Sequence, residues 1–250
     1  MNRFFPTATA SMIVLVASAC IATADETFAP ANPTRLDTYM ASERSFEAAV
    51  GAHRRNQLDA AAAGYEAALA LDPEFVEAQV NLARIDIDAG RYDEAACRLQ
   101  DAVSRRPDYP ALYRVRGLLE LETGSVMNAI EDFSFARTLA PDDAELLLNL
   151  GAALLVRGRL ADAEKVLLEA LQYQPDSESA LLNLALAQDR AGRHFYAATT
   201  YRRFLQMSQL DDADRSAVLA RLSQIDGHFA PLVTKPHVVP PDLAEAKPGK

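Results

Sequence analysis

Residues 73–107, PEFVEAQVNLARIDIDAGRYDEAACRLQDAVSRRP, lead from one proline to another proline 34 positions later. Prolines recur at this interval along the chain, at Pro73, Pro107, Pro141 and Pro175. Glycines follow the same period at Gly90, Gly124, Gly158 and Gly192, with Asn56 one period before the first of them. A fixed period of this length indicates a tandem array of one small structural unit.

Each unit of the array is predicted to be a pair of short helices. In the quoted stretch, apolar residues follow a helical spacing over residues 77–85 and again over residues 92–103. Gly90 lies between the two segments, where a residue with positive φ can end the first helix. Pro107 follows the second segment and can stop that helix and open the next one. Aspartates beside the prolines, such as Asp72 and Asp143, are expected to cap the helices that follow.

Small and large residues at fixed places explain how such a pair can close. Small residues are predicted to let the two helices approach each other at Ala49, Ala83, Gly117, Gly151 and Ala185 on the first helices, and at Ala61, Ala95, Ala129, Ala163 and Ala197 on the second. Large residues are expected to fill the groove beside them, at Tyr65, Leu99, Phe133, Leu167 and Tyr201.

These residues resemble the tetratricopeptide repeat family, whose unit has small residues at the helix crossing and a proline near its end. The resemblance covers five units, at residues 42–75, 76–109, 110–143, 144–177 and 178–211. It implies an all-α solenoid of helix-turn-helix repeats. The first unit departs from the pattern with Asn56, and the fifth with Phe204 and Gln209, as terminal repeats commonly do.

Both ends of the chain differ from the repeats. Residues 1–24 resemble a secretory signal peptide, with Arg3, an apolar run over residues 12–17 and small residues before Asp25. Residues 25–41 are expected to be a linker. An amphipathic capping helix is predicted over residues 212–226, ended by Gly227, and residues 227–250 are expected to form a proline-rich, disordered tail.

Two ways of processing the N-terminus compete. The small residues Ala22 and Ala24 fit cleavage before Asp25, whereas residues 17–20 resemble a lipoprotein signal that would place a lipid on Cys20. Lipoprotein signals prefer a larger aliphatic residue where Ala17 stands, which favours plain cleavage. We expect an exported bacterial protein of the periplasm, or an outer-membrane lipoprotein that reaches the membrane only through Cys20.

Composition and motifs argue against several kinds of function. The formal net charge of −10 would repel a nucleic acid backbone. The four histidines are far apart in the sequence and no phosphate-binding loop or nucleophile motif occurs, so no metal, no cofactor and no catalytic residues are expected. Asp86 and Asp88 are expected to be solvated, and Cys97 is expected to fill space on a repeat helix.

The remaining candidates are polar residues on the first helices. In the resembled family these helices line the concave face and recognise peptides. Asparagines recur one or two periods apart at Asn81, Asn149 and Asn183, and an amide can both donate to and accept from an extended backbone. Structural asparagines that satisfy the neighbouring backbone are the alternative. Cationic contacts are expected from Arg84, Arg114 and Arg190.

The resemblance therefore implies a scaffold and not an enzyme, with a protein or peptide as its partner. We expect it to serve an envelope assembly for pili, secretion or polysaccharide export. The alternative is an enzyme or the accessory subunit of one, acting on a peptide or glycan.

Overall fold

A computed structural model of the protein describes residues 34–208 and 212–233. Eleven helices and no strand are found in this part of the chain. The helices are α1 (Arg35–Arg54), α2 (Leu58–Leu71), α3 (Val76–Asp88), α4 (Tyr92–Arg105), α5 (Pro110–Glu122), α6 (Val126–Leu139), α7 (Ala144–Arg157), α8 (Leu160–Tyr173), α9 (Glu178–Arg190), α10 (His194–Met207) and α11 (Asp212–Val233). The predicted all-α solenoid is confirmed.

The helices stack in the order of the sequence. Each odd-numbered helix from α1 to α9 packs against the helix that follows it, and α3, α5, α7 and α9 also contact one another in succession. Helix α3 is buried from two sides. Leu82 and Ile85 belong to the core of the first repeat, whereas Val80 and Ile87 belong to the core that continues toward α11. Stacking thus builds a core that runs from repeat to repeat.

The turns inside the repeats follow the predicted backbone rule. Gly90, Gly124, Gly158 and Gly192 all have positive φ, between 73° and 82°. Asn56 takes the same conformation at φ 58°, as its place in the period predicts. Asparagine adopts this conformation more readily than most residues that carry a side chain. The irregular first turn therefore keeps the geometry of the others.

The predicted helix crossings are confirmed by burial. The ten small residues named for them are all buried, and so are the five large residues beside them. Gly117 lies against the ring of Phe133, and a methyl group at its Cα would stand 2.6 Å from Phe133 Cε1. Gly151 has the same relation to Leu167, also at 2.6 Å. Glycine in these two repeats thus makes room for the large side chain on the second helix.

Only part of the predicted helix capping is present. Asp143 Oδ1 accepts from the Leu146 amide at 3.0 Å and caps α7. Asp72 does not cap α3, because its Oδ1 accepts from the Glu74 amide inside the turn. Helix α9 is capped by Ser177, whose side chain accepts from the Ala180 amide.

Two predicted boundaries are wrong. Helix α1 begins at Arg35, inside the expected linker, because Thr34 and Asp37 form a reciprocal capping box at its start. Helix α11 continues to Val233, through Gly227, so residues 227–233 are helical and not disordered. Glycine is tolerated inside a helix at a modest cost. The signal peptide, Cys20 and residues 234–250 lie outside the described residues.

Two smaller expectations are also corrected. Asp86 is not solvated but 2% exposed, and its Oδ1 accepts from Arg91 at 2.7 and 2.9 Å while its Oδ2 accepts from Arg98 Nε at 2.8 Å. The two guanidinium groups compensate the burial of the carboxylate. Cys97 does not fill space in the core, since it is exposed.

The last helix is held to the array by charge as well as by apolar contacts. Leu222 and Ile225 of α11 are buried in the main core. Arg221 donates two hydrogen bonds to the Asp189 carboxylate, at 2.6 and 2.7 Å, and His194 Nδ1 lies 3.2 Å from the same carboxylate. Among the described helices, none is long and apolar enough to cross a membrane.

Candidate functional site

A cleft of about 270 Å³, called the groove cleft below, opens on the face formed by the first helices. It draws on four successive repeats, since its lining comes from α1, α3, α5 and α7. The lining residues are His53, Asn81, Arg84, Asp88, Arg114, Val115 and Glu145. The predicted common face of the first helices is therefore a real surface in the structure.

Helical spacing and the repeat period together place these side chains. Asn81, Arg84 and Asp88 are three and four residues apart on α3, so they share one face of the helix. Asn81 and Val115 lie one period apart, so successive first helices present them at equivalent positions. Because the repeats stack regularly, residues at the same position of successive repeats become neighbours along the cleft.

The charges of the cleft are already paired. Arg84 Nε lies 3.2 Å from Asp88 Oδ1, and Arg114 Nη1 lies 2.6 Å from Glu145 Oε1. Arg114 Nε is also 3.8 Å from Asp143 Oδ2, which is too long for a hydrogen bond. The arginines are therefore oriented by carboxylates of this chain, and the cleft has no large excess of positive charge.

Two donors near this surface are buried and have no hydrogen-bond partner among the described residues. One is Arg114 Nε on α5, and the other is Asn149 Nδ2 on α7. A buried polar group without a partner costs about 1 to 3 kcal/mol. Both groups donate, so both call for an acceptor such as a carbonyl or carboxylate oxygen.

The structure brings together some of the residues named from the sequence and separates others. Asn81, Arg84 and Arg114 line the cleft. Asn149 and Asn183 do not line it, and both are half-buried on α7 and α9, further along the array.

Arg190 also lies apart from the cleft. Its Nη1 donates to the Leu155 carbonyl at 3.0 Å, so it ties the end of α9 to the end of α7. The geometry thus gives Arg190 a contact inside the fold.

The cleft also contains His53, Asp88 and Glu145, which were not among the site residues predicted from the sequence. Glu145 had a signal, because Glu43 and Glu77 stand three and two periods before it at equivalent places. His53 had none, and its Nδ1 lies 3.3 Å from the Tyr65 hydroxyl. In the part of the chain that the structure describes, no group of three or more His, Cys, Asp and Glu residues is placed to hold a metal ion.

Models of the tetratricopeptide repeat match residues 52–119, 114–177 and 148–214. The chain belongs to the tetratricopeptide repeat family. The matches together cover the array from the end of α1 to the start of α11, which agrees with the stacking of the helices.

Two curated proteins are similar in sequence to part of this chain. The chain is 28% identical over 149 residues to Superkiller complex protein 3 of Mus musculus, covering 58% of this chain and 9% of that protein. It is 29% identical over 134 residues to Protein O-mannosyl-transferase TMTC3 of Homo sapiens, covering 52% of this chain and 14% of that protein. The chain thus matches only a small part of the length of either relative.

Solved tetratricopeptide repeat structures share the fold. PilF of Pseudomonas aeruginosa has a TM-score of 0.67 at 19% identity, with 76% of this chain and 86% of that one covered. PilW, described as a widely conserved type IV pilus biogenesis factor, has a TM-score of 0.66 at 23% identity, covering 74% and 86%. YrrB, described as having an unusual peptide-binding site, has a TM-score of 0.55 at 18% identity, covering 75% and 98%. At these identities the likeness shows the fold alone.

Proposed function

We propose that this protein is an interaction scaffold that binds an extended segment of a partner protein along the face of its first helices. One observation carries the proposal. Two buried donors without partners, Arg114 Nε and Asn149 Nδ2, lie on neighbouring first helices, beside a cleft to which four repeats contribute. Reorientation of the half-buried Arg114 and Asn149 side chains would let these donors reach carbonyl oxygens of a partner backbone, the acceptors that the fold does not provide.

The repeat period extends this arrangement along the array. Asn81, Asn149 and Asn183 stand at equivalent positions, so each can present an amide to the same extended chain. Leu182 is half-buried and Leu186 is 36% exposed on α9, which adds apolar surface next to the last of these amides. The description of YrrB supports a peptide as the kind of ligand that this fold can hold.

We further propose that the protein works in the bacterial cell envelope. The proposal rests on residues 1–24, in which Arg3, the apolar run at 12–17 and the small residues before Asp25 have the layout of an export signal. The mature protein would lie in the periplasm, or on the outer membrane if Cys20 carries a lipid. A pilus assembly is one setting, supported by the description of PilW, and secretion or polysaccharide export are others.

The alternative is an enzyme or an accessory subunit acting on a peptide or glycan. The name of the human O-mannosyl-transferase favours it. The match covers 14% of that protein, however, and a repeat array is a portable module. We therefore propose a non-catalytic role, in which the face of the first helices binds a partner protein and leaves it chemically unchanged.

Photo-crosslinking in the native cell tests whether a partner protein binds the face of the first helices. A photoreactive residue in place of Leu186, on α9, should capture one protein partner, whereas the same residue in place of Leu219, which is 46% exposed on α11, should not. Equal capture of the same partner from both positions would place the interface outside the face of the first helices.

Binding of the captured partner then tests the asparagines. The double variant Asn149→Ala, Asn183→Ala should bind at least tenfold more weakly, since one lost hydrogen bond at a buried donor is worth about 1 to 3 kcal/mol. Asn128→Ala is the matched control, because Asn128 is exposed on α6, a second helix, and so does not belong to the face of the first helices. Unchanged helical circular dichroism shows that the fold is intact. If the double variant binds like the parent, the asparagines are structural.

A further inference from the structure

A second cleft, of about 310 Å³, lies between α4 and α5 and shares no lining residue with the groove cleft. Its apolar part includes Leu99, 1% exposed, and Leu119, 7% exposed. Polar side chains complete the lining at Asp93, Gln100, Arg116, Glu120 and Thr123, together with the ring of Tyr92 and the methyl group of Ala96. The cleft thus combines apolar surface with two carboxylates.

The repeat period provides an internal comparison for one of these carboxylates. Glu120 stands 34 residues after Asp86, at the same place on the next first helix. Asp86 is held by Arg91 and Arg98, which donate to both of its oxygens. One period later those two arginines are replaced by Ser125 and Asp132. The array therefore keeps an acidic residue at this place in the third repeat but removes both of its cations.

The arginine that lines the cleft, Arg116, is engaged elsewhere. Arg116 donates to both oxygens of Asp132, at 2.5 Å each, and its guanidinium lies over the Tyr113 ring. The pairing is bidentate, which is the strongest geometry for an arginine and a carboxylate. Glu120 Oε2 is left buried and without a hydrogen-bond partner among the described residues.

We propose that this cleft binds an alkylguanidinium group, whose charge gives Glu120 what Arg91 and Arg98 give Asp86. Asp93 on α4 supplies a second carboxylate at the same cleft, and Leu99 and Leu119 contact the apolar stem of the ligand. An arginine side chain of a partner protein has this chemistry, and so does a free alkylguanidine. The site is independent of the groove, so its failure would leave the proposed function standing.

The raised pKa of Glu120 is the shift expected of a partly buried carboxylate that has no cation bound to it. Burial, with help from Asp132 and Glu131 on α6, raises the pKa of Glu120 to about 7, and Arg116 on its own helix opposes the rise. A guanidinium binds the ionised carboxylate, so below about pH 7 its binding should release a proton and become weaker. Besides Glu120, the charged side chains that line the cleft are Arg116 on α5 and Asp93 on α4.

Isothermal titration of the full chain tests the proposal. The probe is arginine blocked at both ends, and the control ligand is citrulline blocked in the same way, which has nearly the same shape but no charge. The parent protein should bind the arginine probe and not the citrulline probe. Binding of both probes with equal affinity, or of neither at millimolar concentration, would overturn the proposal.

A pair of variants on one helix locates the site. Glu120→Gln should weaken binding of the arginine probe at least tenfold, because an amide has no charge to pair with the guanidinium. Glu122→Gln makes the same change at an exposed position of α5 outside the cleft and should bind like the parent. Equal affinity of both variants for the probe would refute the assignment to Glu120.

A third variant supplies the missing partner within the chain. Ser125→Arg restores the residue that Arg91 provides one period earlier, and the Ser125 side chain makes no capping hydrogen bond that would be lost. The variant should lose binding of the arginine probe and melt at a higher temperature. Unchanged binding would contradict the proposal. Agmatine, titrated in parallel, distinguishes the sources: tighter binding than blocked arginine indicates a free alkylguanidine, and weaker binding indicates a protein side chain.

Discussion

Adding one methyl group to a helix should have opposite effects at two glycines of this protein. Gly117 lies inside α5, and a Cβ there would stand 2.6 Å from Phe133 Cε1 and 2.9 Å from Cδ1 and Cζ. Gly51 lies in the last turn of α1, where the nearest atom to a new Cβ is Arg55 Nη1 at 3.4 Å. The substitution is the same in both helices, and only the surroundings differ.

The two terms of the free energy can be separated. Replacing a helical glycine by alanine stabilises a helix by about 0.5 to 1 kcal/mol at either place. At Gly117 the new methyl group also meets the ring of Phe133, which is 0% exposed and packed in the main core. Overpacking of this kind costs about 1 to 3 kcal/mol. Gly51→Ala should therefore stabilise the fold, and Gly117→Ala should destabilise it.

Thermal and urea unfolding of the two variants measure the difference. Because the helix term is common to both, the gap between them reports the clash and should be about 1 to 3 kcal/mol, or roughly 2 to 4 °C in melting temperature for each kcal/mol. Combining Gly117→Ala with Phe133→Leu recreates the pair that Ala83 and Leu99 form one period earlier, and should remove part of the loss. If Gly117→Ala were as stabilising as Gly51→Ala, the close contact with Phe133 would be refuted.

Three further predictions concern charge and processing. The pKa of Glu120 is raised from an ordinary 4.5 to about 7. Its protonated form therefore stabilises the fold fully below about pH 4.5, and this contribution is lost as the pH rises through 7. The variant Glu120→Gln should melt at a higher temperature than the parent at about pH 8, with little difference near pH 4.5. The hydrogen bonds from the Arg221 guanidinium are the chief cause that lowers the pKa of Asp189. Asp189 therefore stabilises the fold above its ordinary pKa of 3.8 and loses this contribution as the pH falls. The variant Arg221→Ala should weaken this dependence of stability on pH and speed hydrogen exchange in α11. Mass spectrometry of the native protein should show an N-terminus at Asp25 or a lipidated Cys20, and an intact unprocessed chain would exclude both.

The repeat architecture follows from the sequence because its determinants are local and recur. Gly90 ends a helix whatever lies around it, and Pro107 cannot continue one, so the period carries the fold by itself. The start of α1 depends on a different kind of signal. Thr34 and Asp37 form a short-range capping box in a segment that has no 34-residue period, so the repeat pattern does not locate it.

The site was predictable only in outline. The sequence predicted that Asn81, Arg84 and Arg114 lie on the face of the first helices, and the structure brings these three into one cleft. The period could not show that Arg190 would turn to the Leu155 carbonyl, because the choice of a hydrogen-bond partner depends on distances between helices. The bare Glu120 carboxyl had a sequence signal after all, in the replacement of Arg91 and Arg98 one period later, but its meaning appears only once Asp86 is seen between those arginines.

The shape of the groove cleft has a consequence for how the protein should melt. In the described chain, substantial contacts join helices no more than two apart in order, so the first and fourth repeats have no strong direct link. A partner lying in the cleft would touch α1, α3, α5 and α7 together. Such a partner would link four repeats that otherwise contact only their neighbours and can unfold from the ends of the array. A saturated complex should therefore unfold more cooperatively, in a single sharper transition, than the free protein.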